Sequence, residues 1–141
     1  MALVNLTGAN LAGADLERTV LPGAAASSVD FNGADLEGAD LTYGELAGSK
    51  LEAASLAGTD ARDADLTRAD LAGADLSGAR LGATSLVEAD LSGANFAGTD
   101  LSGADLFGAE VDASFPGTAI LCDTVMPDGT VAGPTTGCEH R

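Results

Sequence analysis

The side chains of this 141-residue chain that could do chemistry are 22 Asp and Glu, two cysteines and one histidine. General acid–base work needs a carboxylate pair that its surroundings set apart. Here the acids recur at regular intervals in similar contexts, so no pair is singled out. A structural zinc site takes four ligands, chiefly Cys and His, and Cys122, Cys138 and His140 are only three. A cysteine nucleophile needs a base, and the single histidine sits in the terminal segment. No catalytic residue, metal site or cofactor site is expected, and the chain is expected not to be an enzyme.

The acids do set a field. Against them stand 6 Lys and Arg, leaving a formal net charge of −16. Such a surface repels phosphates, so neither nucleic acid nor an anionic membrane is an expected direct partner. A basic protein surface is allowed. No run approaches the ~18 apolar residues of a membrane span. The repeat described next begins almost at Met1 with no visible signal peptide, so a cytoplasmic location is expected.

The elements that must position the acids follow from one period. Leu6, Leu11, Leu16 and Leu21 stand five apart, and the phase runs unslipped to Val111. Of these 22 central positions, 17 are Leu, two are Phe (Phe31, Phe96), two are Ala (Ala26, Ala61) and one is Val. The residue two before each centre is Ala in 14 of 21 cases, and the one just before it is Asp, Asn or Glu in 16 of 22. The residue two after the centre is Gly in 13 of 22. A five-residue step turns a helix by ~140° and flips a strand's face, so neither element keeps these Leu together. A coil that turns a corner every five residues does. Ala and Leu then point inward, the residue between them points out, and Gly takes the corner.

Over about residues 4–114 the repeat resembles the pentapeptide-repeat family, A(D/N)LxG. The resemblance implies an all-β fold: a right-handed quadrilateral parallel β-helix of about 5–6 coils. It implies a β-helix over 1–114 and a capping tail over 115–141, with room for a partial last coil. Residues 20 apart then stack at the ~4.8 Å strand spacing. Ala26 and Ala61 become thin spots in otherwise Leu-filled columns.

Stacking turns the acids into ladders. One reads Asp30, Lys50, Asp70, Asp90, Glu110 and another Asp40, Asp60, Arg80, Asp100, while Arg68 falls beside Glu88. Lys50, Arg68 and Arg80 are expected to relieve like-charge repulsion. Asp70, Asp90, Glu110, Asp65 and Asp105 form a candidate acidic binding face. Thr67, Val87, Phe107 and Pro127 form one less polar column, and Val87 and Phe107 are expected to meet the tail or a second copy. The Thr at Ala positions (Thr19, Thr59, Thr84, Thr99) should face inward, which removes the outward Thr array that ice binding would want.

Some family members bind DNA gyrase in place of duplex and confer resistance to quinolones or natural inhibitors. Residues 1–115 carry 19 acids and 5 bases, close to DNA's one charge per ~1.7 Å once spread along the rod. The resemblance thus implies two functions: a protein-binding or scaffold module of unknown partner, or, as the alternative, a DNA-mimicking gyrase-binding protein. The state is a monomer or an end-to-end homodimer. The segment from Cys122 through Pro127-Asp128-Gly129-Thr130 to Gly137-Cys138 looks like a C-terminal ending common among bacterial members. A Cys122–Cys138 disulfide there would staple the cap; two free buried thiols are the other reading.

Overall fold

A computed structural model describes residues 3–133 and 138. Each pentapeptide makes one side of a square, right-handed β-helix. Single parallel bridges join residue n to residue n+20, from Asn5–Ala25 to Asp105–Val125. The coils are residues 4–23 (coil 1), 24–43 (coil 2), 44–63 (coil 3), 64–83 (coil 4) and 84–103 (coil 5). Residues 104–111 and 120–126 carry the same register onward.

The backbone hydrogen bonds of one unit account for the consensus. In the unit centred on Phe31, Phe31 N–H donates to the Lys50 carbonyl and Gly33 N–H to that of Glu52 in the next coil. Asp35 N–H donates back to Ala14, and Ala34 N–H closes the corner onto the Phe31 carbonyl. One N–H per unit remains, that of Asn32, and the Asp30 carboxylate accepts it at 3.0 Å. Buried or half-buried amides need such partners, so the Asp or Asn found before most centres serves as a cap for the corner.

The corner's third residue has positive φ, as a type II turn demands. Gly33 takes it at 66°, yet Tyr43 and Arg68 adopt 58° at equivalent corners. The ladder on either side imposes that conformation on side chains that disfavour it.

Inside the square, Leu and Ala columns form one continuous core, with Leu36, Leu56, Leu71 and Leu76 fully buried. The fully buried Thr are satisfied there. Thr59, Thr84 and Thr99 donate to the carbonyls of Leu36, Ala61 and Leu76, each at 2.7 Å. Ser49 holds the same place in its pentapeptide, but its buried Oγ has no partner among the described residues. The two thin spots differ. A void too narrow for water lies beside Ala26, bounded also by Leu6, Phe31 and Leu46. Ala61 is fully buried among its stacked Leu.

Beyond Val111 the chain leaves the register and then regains it. Phe115 precedes a cis proline, Pro116, and packs edge-on against Phe96 with ring centroids 5.0 Å apart. Ile120 and Val125 bridge Asp100 and Asp105 again. Leu121 and Met126 keep the five-residue phase, but Val131 does not stack under it. A turn closed by Gly129 N–H donating to Met126 reverses the chain, and Val131 pairs antiparallel with Val125. Cys122 and Cys138 are joined in a disulfide, Cα–Cα 5.7 Å, which ties the end of this cap to the wall. Among the described residues, no helix is long and apolar enough to cross a membrane.

Candidate protein-binding surface

The surface is built from the residues just before and just after each centre. Fourteen Asp and Asn accept the N–H two residues on, at 2.9–3.3 Å, and are held in place by it. Eleven of these are Asp and three (Asn5, Asn10, Asn95) are Asn. A carboxamide thus does the structural work as well as a carboxylate. The negative charge is additional to what the corner needs.

The candidate acidic face spans two adjacent sides. Asp70, Asp90 and Glu110 bridge in succession on one side. Asp65 and Asp105 lie on the neighbouring side, separated by Ser85, which bridges both. Four of the five are corner-capping groups: Asp65 and Asp105 accept from Thr67 and Phe107, and Asp70 and Asp90 from Ala72 and Ser92. Glu110 is exposed. Their second oxygens are what a partner could engage.

The basic residues are placed unequally. Arg68 Nε donates to Glu88 at 2.6 Å, one coil away. Arg80 reaches Asp60 at 3.4 Å. Arg62, on the corner after Asp60, donates to both its oxygens at 2.9 and 2.7 Å, a clamp that columns of residues 20 apart do not contain because it joins residues two apart. That hydrogen bond, with the nearby guanidinium charges, holds the Asp60 carboxyl below the usual range. Asp75 is also lowered, by hydrogen bonds from Ser77. Lys50 sits between Asp30 and Asp70 in register, but among the described residues it makes no ion pair within 4.0 Å. Its flexible stem leaves the ammonium in water, where an exposed pair gains little.

The apolar column reads Val87, half-buried, then Phe107, 54% exposed. The tail reaches it in part. Gly108 N–H donates to the Pro127 carbonyl, and a Cβ built on Gly129 would stand 3.4 Å from the Phe107 ring. Among the described residues, no group of three His, Cys, Asp or Glu is placed to hold a metal ion. A shallow groove of about 420 Å³ opens where Asn95 finds no bridge partner beneath it, lined by Asn95, Ser114, Gly117 and Thr118.

The family model for pentapeptide repeats matches residues 4–42, 45–82 and 74–111. The chain belongs to the pentapeptide-repeat family. No curated protein matches it. Among solved pentapeptide-repeat proteins it is similar to HetL of the cyanobacterium Nostoc, which is involved in heterocyst differentiation regulation. The two are 36% identical over 94% of this chain and 57% of HetL, with a TM-score of 0.46. A second cyanobacterial pentapeptide-repeat protein, from Cyanothece, is 25% identical over 82% of this chain and 86% of its own, TM-score 0.49. QnrB1, a plasmid-mediated fluoroquinolone resistance protein, is 19% identical over 77% of this chain and 68% of its own, TM-score 0.35. This pentapeptide-repeat chain spans little more than half of HetL's length.

Proposed function

We propose that this chain is a non-enzymatic binding module that presents a rigid acidic β-helix to a basic protein surface. The supporting observation is the surplus of charge over structural need. Eleven of fourteen corner caps are Asp where Asn caps the corner as well, and stacked carboxylates repel. The proposed contact is the edge between the sides carrying Asp70, Asp90 and Glu110 and those carrying Asp65 and Asp105. A fixed carboxylate with one oxygen already engaged loses little freedom on binding, so a partner's Arg or Lys meets a preorganised acceptor.

The test is a variant in which Asp70→Asn, Asp90→Asn and Glu110→Gln are combined. Asn keeps the caps, so the circular dichroism spectrum and melting temperature should hold. Capture of basic partners should fall by about tenfold or more. Equal capture by the variant and the parent would sink the reading.

The second reading, a gyrase-binding DNA mimic, draws on the similar linear charge density of rod and duplex. Inhibition or protection in a gyrase supercoiling assay would identify gyrase as the basic partner. No effect at micromolar protein would remove gyrase and leave the wider proposal to the capture experiment.

A further inference from the structure

One rung of the ladder is missing from the wall of the rod. In the regular coils the N–H of each centre donates to the coil below, and the carbonyl two residues before the centre accepts from it. Leu11 N–H thus donates to Asp30, and Asp30 N–H to Ala9. At Asn95 both bonds are unmade. Among the described residues, Phe96 N–H has no acceptor and the Ala94 carbonyl no donor, although both residues are only 5% exposed. The bridges to either side are intact, Asp90–Glu110 and Asp100–Ile120. The register would set residue 115 beneath Asn95. Instead Phe115 N–H donates to the Asp112 carbonyl at 3.2 Å, and the Phe115 ring lies edge-on against Phe96.

Side chains finish the shoulders of this gap. Gly93 N–H, which a carbonyl meets in the regular coils, donates to Asp112 Oδ2 at 2.7 Å. Gly98 N–H donates to Thr118 Oγ1 at 3.1 Å. Asp112 is held in turn by the backbone N–H and hydroxyl of Ser114. Only the middle stays open, as a groove of about 420 Å³ with Ala94, Ala97 and Gly117 in its walls. An acceptor and a donor flanking one residue are half of a parallel β-bridge. The coil above fixes their spacing, since Asn95 N–H donates to Ala74 and Leu76 N–H to Asn95.

We propose that this gap takes one residue of an extended, basic segment of a partner protein. The guest's N–H donates to the Ala94 carbonyl and its C=O accepts from Phe96 N–H, the pattern of the parallel bridges above it. Backbone bonds thereby add a strand to an exposed edge. The guest side chain points outward, as exposed Asn95 does. By the alternation of a strand, its two neighbours turn inward toward Phe115, so small residues fit there.

Charge selects a basic guest. Residues 84–133 hold eight Asp and Glu and no Lys or Arg. Asp112 stands on one shoulder, and Asp75, which accepts from Asn95 Nδ2 at 3.3 Å, lies one coil above. The Ser114 hydroxyl, with the Ser114 and Gly93 N–H groups, holds the Asp112 carboxyl below the usual range, so it is charged at neutral pH. A second copy of this acidic chain would meet repulsion here. The inference rests on the reading of the chain as a binder of basic proteins, and adds where and in what conformation a segment of such a protein docks.

The test uses the full chain, isotope-labelled for NMR, and a capped five-residue peptide of three alanines between two lysines. In the free protein Phe96 N–H should exchange faster than Leu91 N–H, which donates to Glu110. The peptide, at roughly millimolar concentration, should move the Phe96 amide resonance saturably and slow its exchange. Methylating the nitrogen of the middle alanine removes the donor and keeps the charge, so binding should weaken about fivefold or more. Glutamates in place of the lysines should abolish it. Asp112→Asn keeps the cap and should raise the dissociation constant about twofold to fivefold. The combined Asp70→Asn, Asp90→Asn and Glu110→Gln variant should still show the Phe96 shift. A Phe96 resonance that does not move, equal binding by the methylated or the glutamate peptide, or a Phe96 shift produced by concentrating the protein alone would each overturn the inference. Binding that spares Phe96 but falls in the combined variant would sink the groove and leave the acidic edge as the docking surface.

Discussion

Asp60 and Ser49 show how a polar group of the repeat can be over-served or under-served. Asp60 caps Arg62 N–H and is clamped by the Arg62 and Arg80 side chains. Asp60→Asn keeps the cap and loses the clamp, so stability at neutral pH should fall by at most about 1 kcal/mol, the upper end for exposed pairs. The folded carboxyl titrates below its unfolded counterpart. Its contribution is therefore present above the unfolded value and is lost as pH falls through the folded one. Melting curves of parent and variant should converge in acid; a gap independent of pH would refute the assignment. Ser49 presents the opposite case. Thr59, Thr84 and Thr99 place a hydroxyl on a carbonyl 23 residues earlier, and Ser49 Oγ meets none. Ser49→Ala removes an unmet buried donor and adds no cavity. It should raise stability by about 1 kcal/mol, read as a higher urea midpoint. A lower midpoint would mean that the hydroxyl has a partner in solution.

The coil and the cap are different kinds of element. A coil is held by ladders to the coils before and after it, as in any solenoid, so its stability is shared along the rod. The cap is held by the Val125–Val131 bridge, Ala132 N–H donating to Thr124, and one disulfide closing a separation of 16. Opening such a loop costs ~3 kcal/mol by the chain-entropy estimate. Reduction, or Cys122→Ser, should therefore loosen the cap before the coils. Hydrogen exchange should accelerate at Val125 and Ala132 while the Leu71 amide, in coil 4, stays protected. Equal acceleration at all three would show that cap and coils unfold as one unit.

At the scale of the molecule, the rod carries its surplus of acids along its sides, and its far end is closed by the returning chain. Much of this was legible in the sequence. The period of five, held without a slip from Leu6 to Val111, determined which residues of each unit point inward, the Thr among them, because a coil that turns every five residues keeps those side chains together. The family resemblance implied the stacking of residues 20 apart, which put Arg68 beside Glu88 and Arg80 beside Asp60. Other features depend on distances that a period does not contain. The sequence marked Asp before each Leu but not that its oxygen serves the one N–H the coil leaves over. It aligned Lys50 with two acids but not the reach that leaves it unpaired, and it overlooked Arg62, which acts across a corner and not along a column. Val131 stands five residues after Met126 in the sequence, yet the structure turns it back onto Val125. Periodicity is a property of the chain and fixes which residues of each unit point inward. Hydrogen-bond saturation, the reach of each side chain and the direction of the tail are properties of the closed surface, and only the folded rod decides them.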